Sequence, residues 1–221
     1  MKQESEDSKK SAFFSLLSDM WHSRGIPLKF EREGDAVVIT GWKDDLLPNA
    51  AIPAEIRGLP VRKIAARAFH ECDFITEMRL ADGIEIIGAN AFSDCEKLSK
   101  VYMADSVHKI ERNAFYDCRT LFCVEFSETL REIERRAFFG CTGLRDITLP
   151  DSLEIIGEQA FCGCAKLKSI RLPLALKEFA RNAFEGCTAL DNIYLEKDSP
   201  ADRVLSVSSY YSQRLRYIPR I

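Results

Sequence analysis

Residues 143–164 read GLRDITLPDSLEIIGEQAFCGC, and residues 166–187 repeat the pattern as KLKSIRLPLALKEFARNAFEGC, a step of 23 positions. The unit occurs six times, each with the dipeptide Ala-Phe, a cysteine three positions after the Phe and a large aliphatic residue three positions further on. The phenylalanines are Phe69, Phe92, Phe115, Phe138, Phe161 and Phe184, and the cysteines are Cys72, Cys95, Cys118, Cys141, Cys164 and Cys187. A fixed period in the twenties is typical of a solenoid, in which each unit buries its apolar face on the next copy. We therefore predict stacked coils, one per repeat.

The first half of each unit predicts a β-strand. Leu98, Val101 and Met103 follow the pattern L-x-x-φ-x-φ, where φ is apolar, and the last two keep the two-residue period of a strand with one buried face. A turn follows, most clearly at Pro150-Asp151-Ser152, because Asp and Ser side chains bond to turn backbone. Strands of successive coils would then lie parallel in one sheet.

The second half of each unit predicts a short helix. Ile110, Ala114 and Cys118 recur at steps of four, which indicates about two helical turns before the next strand. Phe115 would be the large apolar plug of its coil, and the six equivalent rings would form a spine. Parallel strands lie about 4.8 Å apart and packed helices about twice as far, so the stack is expected to curve with strands on its concave side and helices on its convex side.

The six repeat cysteines are interpreted as small buried hydrophobes. Equivalent side chains of stacked coils run parallel to one another, which is poor geometry for a disulfide, and ligands one repeat apart do not converge on a metal ion. Cys123, predicted to face outward from a strand, and Cys162 lie outside this column and are interpreted as surface or boundary residues. A redox or metal role for these two is the alternative.

Composition predicts a soluble chain without affinity for nucleic acid. Apolar residues make up 46% of the sequence and charged residues 29%, and the formal net charge is −3 with no basic stripe. No apolar run reaches the length that crosses a bilayer. The polar start, Met1 to Lys10, does not resemble a secretory signal. We expect a cytoplasmic location if Met1 is the native start, and a secreted or cell-surface location otherwise.

The repeat unit resembles the BspA-type leucine-rich repeat over roughly Ala36 to Leu195. The resemblance rests on the pattern x-L-x-x-I-x-L-P-x-S-L-x-x-I-G-x-x-A-F-x-G-C and on the lead-in segment Ile52 to Ile64. It implies a right-handed α/β leucine-rich-repeat solenoid that binds other macromolecules, mostly at a surface or in secreted form, and has no catalytic residues. The Gly of the pattern is kept at Gly88 and Gly157 but replaced in the other repeats, so a positive φ is not expected there.

The ends of the chain are predicted to cap the solenoid, whose terminal coils would otherwise expose apolar edges. Residues 1–58 would form an N-terminal extension and cap, residues 59–195 six repeats, and residues 196–221 a C-terminal cap. The N-terminal cap would contain a helix from Ser8 to His22 and a hairpin of Leu28 to Arg32 with Ala36 to Trp42. The helix has an alternative role in docking a partner or a membrane surface. The C-terminal cap would contain a helix from Pro200 to about Gln213 and a last strand, Leu215 to Ile218.

The outward side chains of the predicted strands form the candidate binding surface, which we call the strand face. Tyr and Arg are enriched at binding hot spots, and both recur there. The proposed protein-binding residues are Arg79, Lys100, Tyr102, Glu125, Asp146, Thr148, Arg171, Asn192 and Tyr194. The competing interpretation is that these neighbours only stabilise the sheet, by a few tenths of a kcal/mol each.

We therefore predict a non-catalytic module that binds a protein partner of unknown identity and needs no cofactor or metal. His22, His70 and His108 have no partner in a catalytic motif, and the acidic residues are scattered. One alternative is a fragment of a surface or secreted adhesin that binds host or extracellular macromolecules. Another is an enzyme, which would need a polar pocket where the cap meets the repeats, around Trp42 to Asn49.

Overall fold

The structure, a computed structural model, describes residues 27–43 and 49–218. The chain forms stacked coils joined by parallel strand pairs, as the 23-residue period predicts. In chain order the strands are β1 (Leu28–Glu33), β2 (Ala36–Trp42), β3 (Asn49–Ile52), β4 (Glu55–Ile56), β5 (Leu59–Ile64), β6 (Glu77–Leu80), β7 (Ile86–Ile87), β8 (Lys100–Tyr102), β9 (Lys109–Ile110), β10 (Cys123–Glu125), β11 (Glu132–Ile133), β12 (Ile155–Ile156), β13 (Ser169–Arg171), β14 (Glu178–Phe179), β15 (Asn192–Glu196) and β16 (Leu215–Ile218). One α-helix, α1 (Pro200–Leu205), and a 3-10 helix (Ser212–Arg214) precede β16.

Each coil contributes to two ladders of parallel strands. The first ladder carries the predicted strands and splits into two sheets, with strand orders β3-β6-β8-β10 and β13-β15-β16. The second ladder runs without a break as β2-β5-β7-β9-β11-β12-β14. The two-residue strands of this second ladder lie between the turn and the Ala-Phe dipeptide of each coil. The sequence pattern did not predict a separate sheet from this segment.

The helix predicted after Ile110 is wrong, and tight turns replace it. Residues 111–118 form no α-helix, and the equivalent segments of the other coils are turns as well. Two positions in most coils have a positive φ, a conformation that a right-handed helix cannot contain. The residue before the repeat cysteine has a positive φ in all six coils: Glu71, Asp94, Asp117, Gly140, Gly163 and Gly186. The residue before the repeat alanine has a positive φ in five coils: Arg67, Asn90, Asn113, Arg136 and Gln159.

Alternate amides of these turns bond to the next coil, while the amides between them close the turn itself, as the Tyr116 N–H does by donating to the Asn113 carbonyl at 3.0 Å. The Asp117 N–H donates to the Phe139 carbonyl at 2.7 Å, and the Phe115 N–H donates to the Ala137 carbonyl at 2.7 Å. The third side of the coil therefore has nearly the same rise per coil as the strands. The curvature predicted from the width of packed helices loses its physical basis, because the described coils contain no such helices.

Stacked phenylalanines fill the core, as predicted. Consecutive rings from Phe69 to Phe184 lie 5.0, 5.2, 5.0, 5.3 and 5.6 Å apart between centroids, with interplanar angles of 20° or less. All six are buried, and Trp42 packs on the first ring at 6.3 Å. Offset stacking of this kind adds about 0.5–1.5 kcal/mol per pair beyond the burial of apolar area.

The cysteine column is also buried and free of disulfides, as predicted. Each thiol from Cys95 onward donates to the carbonyl of the Phe in the preceding coil, for example Cys118 Sγ to the Phe92 oxygen at 3.0 Å. Burial raises the pKa of Cys118 and of Cys164 well above the usual value for a thiol. Cys162, expected at the surface or a boundary, is buried, whereas Cys123 is partly exposed.

The two ends of the described chain agree in part with the predictions. β1 and β2 form the predicted antiparallel hairpin, with Gly34 at φ 64° in its turn. The predicted helix from Ser8 to His22 lies outside the described residues. At the other end α1 stops at Leu205, far short of Gln213, although Ser199 caps it by accepting from the Asp202 N–H, and β16 pairs with β15 as the last strand. Ser and Val, which favour helices weakly, follow α1.

Candidate binding surface

The strand face presents its side chains in columns, because successive strands pair in register. Arg79 lies opposite Tyr102, which lies opposite Glu125, and in the second sheet Arg171, Tyr194 and Arg216 form an equivalent row. The sequence analysis therefore placed these side chains correctly, except that it stopped before Arg216. The structure does not test whether any of them contacts a partner.

The first group of predicted residues forms a connected cluster on β6 and β8. Arg79 Nε donates to Glu77 Oε1 at 2.8 Å, and its guanidinium carbon lies 3.9 Å from the centre of the Tyr102 ring. Lys100 Nζ approaches the other oxygen of Glu77 at 4.0 Å. Burial, followed by the charge of Glu77, raises the pKa of the Tyr102 hydroxyl. The contact over the ring and the bond to Glu77 restrain the Arg79 and Tyr102 side chains, so a partner can contact them at little entropic cost.

The second group is more exposed and less connected. Arg171 Nη1 lies 3.4 Å from Asp151 Oδ1, and both side chains are at least half exposed. Tyr194 is 39% exposed between Arg171 and Arg216, and Asn192 lies beside Ser169 on the neighbouring column. An exposed tyrosine between two arginines has the composition of a binding hot spot.

A gap separates the two groups, so the strand face is not the continuous sheet that the repeats predict. In the described chain no backbone hydrogen bond or strand pair joins β10 to residues 144–149 of the following coil. That coil is held to the next one by a bridge between Asp146 and Ser169 and by the Lys168 N–H, which donates to the Arg145 carbonyl at 3.2 Å. Asp146 and Thr148, both in the predicted site, therefore lie at the edge of the gap.

A bulky core residue lies in the strand segment beside the gap. Phe126 occupies the slot that Leu or Met fills in the other coils, and its ring lies edge-on to Phe138 of the same coil at 5.6 Å. On the outer side Phe122 is 47% exposed.

The structure also brings together a hydroxyl, an imidazole and a carboxylate that the sequence analysis did not connect. His70 Nδ1 lies 2.7 Å from Ser93 Oγ, and His70 Nε2 lies 3.4 Å from Glu71 Oε1. Ser93 is only 2% exposed, and its hydroxyl also donates to the Asn90 carbonyl at 3.2 Å. A serine this deeply buried cannot reach a substrate carbonyl, so the cluster links two coils rather than forming a nucleophilic site.

Other possible sites offer no clear chemistry. Residues 44–48, in the segment where an enzyme was expected to have its pocket, lie outside the described residues, and a cavity of about 770 Å³ lies instead at the C-terminal end, between Arg181, Glu185, Tyr210 and Tyr211. Burial raises the pKa of Cys123, so its thiol is less nucleophilic than a free one. No group of residues in the described ranges has the arrangement of a metal site, and no helix there could cross a membrane.

Comparison with known proteins supports the interpretation of the repeats as leucine-rich repeats. A profile of the BspA type leucine-rich repeat region matches residues 62–191 and 109–216, with six copies. A leucine-rich repeat protein of T. pallidum is 32% identical over 76% of this chain and 78% of its own, with a TM-score of 0.73. A leucine-rich repeat protein from Bacteroides ovatus is 28% identical, with a TM-score of 0.56, over 77% of this chain and 54% of its own. No curated protein matches the sequence.

Proposed function

Because the chain belongs to the BspA type leucine-rich repeat family, we propose that it is a non-catalytic module whose strand face binds a protein partner. The observation that carries this proposal is the in-register row Arg171, Tyr194 and Arg216, together with the ordered stack of Arg79 on Tyr102. Aromatic and arginine side chains on a rigid scaffold bury much area with little loss of conformational freedom.

The scaffold supports this role mechanically. The core beneath the strand face is a continuous column of buried rings, so the outer side chains project from a backbone that is fixed on two ladders. A binding surface built on such elements is more precise than one built on loops.

The experiment compares capture of partners by three immobilised proteins. These are the wild type, the strand-face variant Tyr102→Ala/Arg171→Ala/Tyr194→Ala, and a control variant, Tyr116→Ala/Arg135→Ala/Lys177→Ala, that removes one tyrosine and two cations elsewhere. Each is exposed to a native-cell lysate and, separately, to host or extracellular proteins, and captured proteins are quantified by mass spectrometry. Circular dichroism checks that the three proteins are equally folded.

We expect the strand-face variant to lose a specific partner by about tenfold or more, since hot-spot residues contribute about 2 kcal/mol or more each. The control variant should retain it. Equal capture by the wild type and the strand-face variant would refute the proposal. The protein pool that supplies the partner distinguishes an intracellular module from a surface adhesin.

A further inference from the structure

The cavity at the C-terminal end lies where the coil pattern breaks on its turn side. Val207 follows Phe184 by 23 residues, but it is 74% exposed and does not extend the core. The helix α1 packs beside β14 and β15, and residues 206–211 then lead to the 3-10 helix and the last strand without an Ala-Phe turn. The cavity of about 770 Å³ lies beside the turn of the sixth repeat, and Gly186 and Tyr211 are part of its wall.

Two backbone amides of the sixth repeat have no acceptor at this end. In the fifth repeat the N–H groups of Phe161 and Gly163 donate to carbonyls of the following coil at 2.9 and 2.7 Å. The equivalent amides of Phe184 and Gly186 donate to no acceptor among the described residues. The turn itself is kept, since Gly186 has φ 73° and the Cys187 N–H donates to the Phe184 carbonyl at 3.2 Å. The last turn therefore presents two donors, two residues apart, where the earlier turns bond onward.

A buried tyrosine hydroxyl in the cavity wall is a third donor of this kind. Tyr211 is only 6% exposed, and its backbone N–H donates to Ser208 Oγ at 3.4 Å. Its hydroxyl forms no hydrogen bond with a described residue. Burial raises the pKa of this hydroxyl, so it keeps its proton and remains a donor. Because buried polar groups nearly always have a partner, an unpaired hydroxyl in the wall of a cavity points to an acceptor on a ligand.

Tyr210 supplies an ordered aromatic wall. Its hydroxyl donates to the Cys187 carbonyl at 3.3 Å, and the guanidinium carbon of Arg214 lies 4.0 Å from the centre of its ring. The rings of Tyr210 and Tyr211 meet edge to face, with centroids 4.9 Å apart. These contacts fix the ring before a ligand arrives, so an apolar group can pack against it at little entropic cost.

The charged residues around the cavity disfavour an anionic ligand. Glu158 and Glu185 both contribute to the wall, against a single cation, Arg181. Glu158 also lies 3.8 Å from Arg135 Nε, an ion pair whose side chains are both more than half exposed. A carboxylate would find hydrogen-bond donors but would meet two like charges. An uncharged carbonyl uses the same donors without this repulsion, and the two glutamates can accept from N–H groups of a peptide backbone.

We propose that this cavity binds an extended, uncharged peptide segment of a partner protein through the carbonyls of its backbone. Two carbonyls, two residues apart, accept from the amides of Phe184 and Gly186, as the carbonyls of the next coil do in the earlier repeats. A further acceptor meets the Tyr211 hydroxyl, and an apolar or aromatic side chain packs against Tyr210. The site is separate from the strand face, so it does not depend on the proposed function.

An NMR titration that resolves individual amides tests this. The probe is an alanine-phenylalanine-alanine tripeptide with an acetylated N-terminus and an amidated C-terminus, so that it carries no charge. The comparison probes are the same tripeptide with a free C-terminal carboxylate, and toluene, which has a ring but no acceptor. The proteins are the wild type, Tyr210→Ala, Tyr211→Phe and the control variant Tyr116→Ala, which changes a partly exposed tyrosine outside the cavity.

We expect the blocked peptide to bind with a dissociation constant of about 1–10 mM and to move the amide proton signals of Phe184 and Gly186 downfield. The signals of Phe161 and Gly163, which already have acceptors, should stay in place. Binding should weaken by about fivefold in Tyr210→Ala and about threefold in Tyr211→Phe, and by less than about twofold in the control variant.

Several results would overturn the proposal. These are an absence of shifts at Phe184 and Gly186, shifts of equal size at Phe161 and Gly163, and equal weakening in the control variant. Tighter binding of the free carboxylate than of the blocked peptide would show that the cavity takes an anion instead. Equal downfield shifts with toluene would show that filling the cavity, and not a carbonyl acceptor, moves the amide signals. Unchanged signals far from the substitution show that each variant is folded.

Discussion

The phenylalanine of each repeat is the residue on which the stack depends most. Phe138 is fully buried and contacts the rings of Phe115 and Phe161 at 5.0 and 5.3 Å, and Phe126 edge-on. Its removal would leave a cavity between rings that cannot move together, because the backbone ladders hold the coils apart.

Phe138→Ala should therefore lower the free energy of unfolding by about 3–5 kcal/mol. Phe122→Ala is the matched control, since that ring is 47% exposed, and it should change stability by less than about 1 kcal/mol. Chemical denaturation of both variants measures the difference. A similar loss of unfolding free energy in the two variants would contradict the conclusion that the stacked rings stabilise the fold.

The buried thiols make stability depend on alkaline pH. Burial raises the pKa of Cys118, Cys141 and Cys164 in the folded state, whereas an unfolded cysteine titrates near 8.5. Below about pH 8.5 the thiols are protonated in both the folded and the unfolded protein, so they do not make the free energy of unfolding depend on pH. Above this pH the thiols of the unfolded protein lose their protons first, so stability falls as pH rises.

We expect the denaturant midpoint to be flat from about pH 7 to 8 and to fall toward pH 10. Cys141→Ala should reduce that slope by up to about 1.4 kcal/mol per pH unit, while Cys123→Ala, at a partly exposed position, should leave most of it. An unchanged slope in Cys141→Ala would show that this thiol is not buried in the folded state.

At the scale of the element, the turn that replaces the predicted helix depends on residues that adopt a positive φ. Gly163 has φ +76°, and a Cβ added there would meet only ordinary contacts, the nearest at 3.6 Å from Gly140. A substitution at this position therefore reports on backbone conformation and not on steric overlap.

Gly163→Ala should destabilise the protein by about 1–2 kcal/mol, because the alanine must adopt the left-handed conformation. In an α-helix the same change would stabilise by about 1 kcal/mol, so the sign of the effect distinguishes the two structures. Thermal or chemical unfolding measures the change in stability. A more stable variant would contradict the turn and support the helix that the sequence pattern predicted.

At the scale of the whole molecule, the gap beside β10 divides the strand face while the second ladder and the ring stack continue. The amides of Arg145 and Asp146 donate to no backbone carbonyl in the described chain, whereas their equivalents Asp191 and Asn192 donate to the Lys168 carbonyl. The gap thus leaves these two backbone amides without a backbone partner in the middle of the solenoid.

Amide hydrogen exchange should therefore be faster at Arg145 and Asp146 than at Asp191 and Asn192. Phe126→Leu restores the residue type that other coils have in this slot, and it should slow exchange at Arg145 and Asp146 by letting the two coils pair. Unchanged exchange in this variant would mean that Phe126 does not hold the coils apart. Exchange at Asp191 and Asn192 is the internal control.

The 23-residue period alone predicts the coil length, the pairing register and the buried columns, because it places identical side chains above one another and only one phase of the pattern buries them. It also placed Arg79, Tyr102, Arg171 and Tyr194 on one face, since that face follows from strand periodicity. Spacing alone could not separate helix from turn between Ile110 and Cys118, although Asn, Asp and Gly at the left-handed positions carried that information. The division of the strand face could not be predicted from the repeats, because the pairing of neighbouring coils depends on how their backbones and core side chains fit together in space and not on the spacing of residues within one repeat.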